Sequence, residues 1–101
     1  MSQLQRIQKM EEHLNKYSQV LARAQAALAE LELCQSDYIQ LRDYYTSQDF
    51  FDDLASSNGP DFPADVACGV LAEDTVYDLM DEHFQTALTL LDLSSAMLKE
   101  R

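Results

Sequence analysis

The sequence has no tryptophan, two glycines, two prolines and two cysteines in 101 residues, and no lysine or arginine between Asp43 and Leu98. Each shortage excludes something. With so little glycine and proline, the chain lacks the turn punctuation that a many-stranded β fold needs. No stretch approaches ~18 consecutive apolar residues, and Met1 to Met10 is mixed polar, so neither a membrane span nor a signal peptide is expected. The expected compartment is the cytosol. Cys34 and Cys68 lie far apart and in no metal-ligand spacing, which predicts two free, mostly buried thiols. There is no glycine-rich phosphate loop, no nucleophile elbow around any serine, and no Glu-x-x-His pair of the kind that holds di-iron in helical bundles.

What is present is helix-forming and acidic. Apolar residues make up 47% of the chain, enough for one globular domain over residues 1–101 without staples. The net charge is −11, and it is segregated. Residues 1–42 carry five basic and five acidic groups, whereas residues 43–98 carry twelve acidic groups and no Lys or Arg. Such a surface repels phosphate, which argues against direct binding of nucleic acid or of an anionic membrane. It favours a basic protein partner, a divalent cation, or solubility alone.

The dominant pattern runs from Ile7 to Tyr45. Ile7, Met10, Leu14, Tyr17, Leu21, Ala24, Leu28 and Leu31 recur at alternating steps of three and four, the mark of a long amphipathic, coiled-coil-like helix over about 2–45. Glu12 and Lys16 form an i, i+4 pair on its polar side. After Leu31 the stripe continues through Cys34, Tyr38, Leu41 and Tyr45 only with an extra step of three. That slip predicts a bend near residues 33–37, with Ser36-Asp37 as an alternative cap for a new helix. Thr46-Ser47-Gln48-Asp49 has the form of a capping box and opens a short helix over about 47–56. Ser56-Ser57-Asn58-Gly59-Pro60 ends it, and an irregular connection over about 57–72 follows, pinned by Phe62, Val66 and Val70. A last helix, about 73–99, begins with Glu73 and Asp74 at the positive end of its dipole. The expected fold is all-α: long helix, short helix, and a C-terminal helix antiparallel to the first in a small bundle.

Length adds a constraint. The first helix would span about 60 Å and the last about 40 Å, against a radius of gyration of about 13 Å for a compact domain of this size. One partner helix cannot cover the whole stripe. A homodimer is the expected way to cover the remainder.

Tyr44-Tyr45-Thr46-Ser47 followed by Phe50, Phe51 and Asp53 is one motif. Gly69-Val70-Leu71-Ala72-Glu73-Asp74-Thr75-Val76-Tyr77-Asp78-Leu79 is a second and more specific one. On these two motifs the chain resembles the short bacterial proteins of the family called domain of unknown function 4298, over nearly its whole length and in the same order of elements. The resemblance implies an all-helical fold and supplies no activity. Ala72 departs from the family pattern, where a serine would cap the last helix. Such a cap is worth ~0.5–2 kcal/mol.

Three classes of function follow from these residues. In the first, the chain is a protein–protein interaction or accessory module, self-associating and offering a partner-binding surface of Tyr44, Tyr45, Phe50, Phe51, Asp53, Tyr77 and Asp78. An aromatic patch with an acidic rim suits a basic, amphipathic partner. The same aromatics also read as a structural hub where the helices meet. In the second, Asp49 and Asp52 on the short helix face Asp78 and Asp81 on the last, joined by Asp74 and Glu82. They hold Mg²⁺ or Mn²⁺ for phosphoanhydride hydrolysis, broadly as all-helical nucleotide pyrophosphatases do. The chain has no nearby Lys or Arg to hold a triphosphate, and the same carboxylates read equally as solvated helix faces. In the third, the acidic half acts as an inhibitor that mimics nucleic acid in a basic groove. No cofactor and no catalytic residue is expected. His13 and His83, on different helices, read as helix residues and not as bases.

Overall fold

The computed structural model describes residues 2–101. Among them there is no strand: the elements are α1 (Gln3–Leu33), α2 (Gln35–Tyr45), α3 (Gln48–Ser57), a 3₁₀ turn (Gly69–Leu71) and α4 (Thr75–Lys99). The chain is all-α. It divides into two compact units, one ending at Tyr38 and the other spanning Ile39–Arg101.

The first unit is essentially α1. It opens with a reciprocal capping box, in which the Gln5 N–H donates to Ser2 Oγ at 3.2 Å and the Ser2 N–H donates to Gln5 Oε1 at 2.9 Å. Two of the amide donors that a helix start leaves unpaired are thereby satisfied. Alanine-rich sequence carries the helix for 31 residues, roughly 46 Å. None of these residues is buried. On the polar side, Glu12 pairs with Lys9 at 3.5 Å and not with Lys16, the partner its spacing predicts. Both side chains are exposed, so the pair adds little.

The heptad slip coincides with an interruption at Cys34. The Cys34 N–H still donates to Glu30 O at 2.9 Å, while Cys34 O accepts from the amides of Asp37 and Tyr38, at 3.1 and 3.2 Å. One residue thus ends α1 and starts α2. Gln35 Nε2 caps the end of α1 by donating to Leu31 O at 3.1 Å. Ser36 and Asp37, the alternative cap, lie inside α2, with Asp37 in its first turn. Cys34 is exposed and Cys68 half-buried, so neither thiol is a core group as composition predicts. Cys34 sits at a helix junction, and the Cys68 thiol donates to Val66 O at 3.2 Å.

The second unit holds the core, which consists of Phe50 (6% exposed) and Val76 (3% exposed). Leu41, Tyr44, Tyr45, Leu54, Phe62, Val70, Leu71 and Met80 of the same unit are half-buried. The 3₁₀ turn is the keystone, since α3 and α4 both pack against it. Val66, expected to pin the connection, is exposed; Phe62 and Val70 are half-buried as a pinned connection requires.

In α4 the apolar face is wider than its buried slice. Val76 is buried and Met80, His83 and Leu90 are half-buried, following steps of four, three and seven. Tyr77, Phe84, Leu88, Leu91 and Leu98 form a second apolar stripe that is exposed. The helix starts at Thr75, two residues after the expected boundary. Asp74 precedes it without making a side-chain cap. The Thr75 N–H instead donates to Ala72 O at 3.3 Å, and Ala72 is extended, with φ −64° and ψ 143°. No helix among the described residues is long and apolar enough to cross a membrane.

Candidate partner-binding site

The motif residues gather at the corner between α2 and α3, where Ser47 acts on both helices. Its Oγ donates to Tyr44 O at 2.6 Å and accepts from the Phe50 N–H at 3.4 Å. The first bond satisfies a carbonyl at the end of α2, and the second is the N-cap of α3. Thr46, placed by its spacing as the cap, instead donates back to Arg42 O and Asp43 O, each at 3.3 Å. The cap therefore lies one residue later than the capping-box pattern puts it. Two short polar residues in a row close one helix and open the next.

This tight corner folds three rings onto Phe50. Tyr44 and Tyr45 meet it edge to face, with centroids 5.7 and 5.1 Å apart and planes at 81° and 70°. Phe51 does the same at 5.8 Å and 78°. Such pairs add ~0.5–1.5 kcal/mol each beyond the area they bury. Phe50, grouped by sequence with the partner-binding surface, is thus core, and it organises the others. Tyr44 and Tyr45 are half-buried against it, and Phe51 is 60% exposed.

Tyr44 has a second role. Its hydroxyl donates to Asp53 Oδ2 at 2.6 Å, spanning nine residues across the corner. This hydrogen bond, with desolvation and the negative charges of Asp53 and Asp49, pushes the tyrosine pKa up to about 12 from an ordinary 10.0. The hydroxyl remains a proton donor throughout the physiological range. Beside this pair a small groove of ≈ 210 Å³ runs along the connection, touched by Ser56, Phe62, Cys68 and Leu71.

Tyr77 and Asp78 belong elsewhere in the same unit. Tyr77 is 61% exposed on the outer stripe of α4 and takes no part in the aromatic hub that sequence assigns it to. Asp78 borders a larger open groove of ≈ 400 Å³. Leu41 of α2, Val70 of the 3₁₀ turn, and Val76 and Leu79 of α4 provide its apolar lining, and Asp78 and Glu82 its acidic edge. Sequence reasoning did not assemble this groove. Each residue lies on a recognisable helix stripe, but only the 3₁₀ turn brings Val70 beside Leu41 and Val76.

The four aspartates of the metal reading do not come together. Among the described residues, no three His, Cys, Asp or Glu side chains are close enough to share an ion. Asp52 is engaged locally, accepting from Gln48 Nε2 at 3.1 Å. Asp49 and Asp52 are both exposed on α3.

No curated protein matches the chain. One family model does, over residues 7–93, a span that includes the slip at Cys34, the Tyr44–Asp53 corner, the 3₁₀ turn and most of α4. The chain belongs to the family described as Domain of unknown function (DUF4298).

Proposed function

We propose that this chain is a protein–protein interaction module of the cytosol that works as a homodimer and engages a basic protein partner. The observation that carries the reading is the stripe on α1. Ile7, Met10, Leu14, Tyr17, Leu28 and Leu31 lie at heptad spacing and are 40–60% exposed. A contiguous apolar row of that length on one helix face is the mark of an association surface. Isolated helices gain little from propensity alone, and most of their stability comes from packing an amphipathic face. Residues 1–42 have balanced charge, five basic against five acidic, so two copies can approach along α1 without net repulsion. The exposed outer stripe of α4 is a second face of the same kind. On this reading the single-domain, antiparallel helical bundle expected from sequence is completed by a second copy.

Sedimentation velocity over a micromolar concentration series tests the proposal. The parent chain is expected to sediment as a dimer and Leu14→Glu/Leu28→Glu as a monomer, with the second unit still folded. A parent chain that is monomeric throughout the series overturns it. No comparable observation favours the metal-dependent phosphohydrolase or the nucleic-acid-mimicking inhibitor.

A further inference from the structure

From the open groove of the second unit we infer the docking site for the basic partner: it takes one amphipathic helix, with an apolar anchor over Leu41, Val70, Val76 and Leu79 and a Lys or Arg pair on Asp78 and Glu82. This rests on the interaction-module reading and adds to it a surface and a partner chemistry. The lining is apolar and firmly based, since Val76 is 3% exposed, whereas Leu79 at 40% leaves room for contact. An anchoring side chain placed there is desolvated, which is how a small contact gains affinity.

Charge selects the sign of the partner. Asp78 and Glu82 stand one helical turn apart on the same edge, and a cation pair at i, i+4 on a docked helix has the same spacing. The second unit offers almost nothing to neutralise them. Its Lys and Arg residues are Arg42, Lys99 and Arg101 alone. Arg42 is bound to Asp43 at 3.1 Å. Lys99 lies seventeen residues beyond Glu82 in α4, roughly 25 Å along the axis. An acidic or phosphate-bearing ligand is repelled by the same edge. An apolar helix without cations leaves both carboxylates beside a desolvated contact with no partner.

The experiment uses the full chain and two synthetic helical peptides. One has leucines at heptad spacing with lysine pairs at i, i+4; the other has glutamate in place of every lysine. The lysine peptide is expected to bind one to one and to weaken as salt rises, because screening shortens to ~10 Å at 0.1 M. Asp78→Lys/Glu82→Lys is expected to weaken it more than about tenfold, since like charges now face each other. Asp49→Lys/Asp52→Lys on α3 makes the same change in net charge and is expected to bind as the parent does. Equal loss in both double variants means general attraction to an acidic protein and overturns the site. So does equal binding of the two peptides. If no peptide binds and the Asp78/Glu82 variant instead loses the dimer, the occupant is a second copy and the inference fails. The monomeric Leu14→Glu/Leu28→Glu variant separates the two proposals. It is expected to retain peptide binding, and the peptide result stands or falls on it whatever the parent's oligomeric state.

Discussion

The Tyr44 hydroxyl and the Asp53 carboxylate, 2.6 Å apart, tie the last turn of α2 to the middle of α3. The bond holds only while the tyrosine is protonated. The folded pKa of about 12 lies above the ordinary 10.0, so the neutral phenol is the form that folding favours. Its contribution to stability is complete below about pH 10 and is lost as pH rises through about 12. A phenolate absorbance titration is expected to show one of the five tyrosines ionising last, and that component disappears in Tyr44→Phe. In Asp53→Ala the late component moves back towards pH 10.

Ser47→Ala removes the N-cap of α3 and the donor to Tyr44 O with a single atom. A lost cap costs ~0.5–2 kcal/mol, and each kcal/mol in a domain of this size lowers the melting temperature by about 4–8 °C. A thermal melt is expected to show such a fall. Thr46→Ala, whose hydroxyl makes only longer bonds to α2 carbonyls, is expected to change less.

The two neighbouring phenylalanines make an internal comparison. Phe50→Ala removes one of the two buried side chains of the second unit and is expected to cost ~3–5 kcal/mol. Phe51→Ala trims a side chain that is 60% exposed and is expected to stay within about 1 kcal/mol. It gives up one ring contact and little burial. Urea unfolding of both variants measures the contrast.

Ala72 already has the extended backbone of an N-cap, and its carbonyl receives the Thr75 N–H. Asp74, next to the helix, makes no side-chain cap. Ala72→Ser supplies a hydroxyl acceptor at this position. It is expected to stabilise the second unit by ~0.5–1 kcal/mol, read as a rise in melting temperature. Unchanged stability would mean that the two residues after Ala72 hold the serine away from the first helical amides.

Much of this architecture was legible in the residues, and the failures have identifiable causes. The slip after Leu31 lies beside Cys34, where a bend in one helix over about 2–45 was expected and two helices, α1 and α2, are found. The opening of α3 was readable from two hydroxyl residues in sequence, but their spacing could not decide which one caps. Among the corner aromatics, identity alone could not separate core from surface. Spacing could have helped: Phe50 has Leu54 at i+4, whereas Phe51 has Ala55. The same comparison separates Val76, with Met80 and His83 along its row, from Tyr77 on the outer stripe. The Ser2–Gln5 capping box is a plain serine-x-x-glutamine signature. The groove of Leu41, Val70 and Val76 had no local signal, because three separate elements create it.

The absence of any buried residue in α1 makes this helix a reporter of its own surroundings. Backbone amides exchange with solvent whenever a helix opens, and nothing within α1 beyond its own hydrogen bonds resists opening. If α1 is the dimer seam proposed above, deuterium uptake over residues 3–33 is expected to follow protein concentration, slow in a concentrated sample and fast on dilution. The amides around Phe50 and Val76, the buried residues of the second unit, are expected to keep one rate throughout. On that proposal the chain carries two clocks, one set by its neighbours and one by its own core.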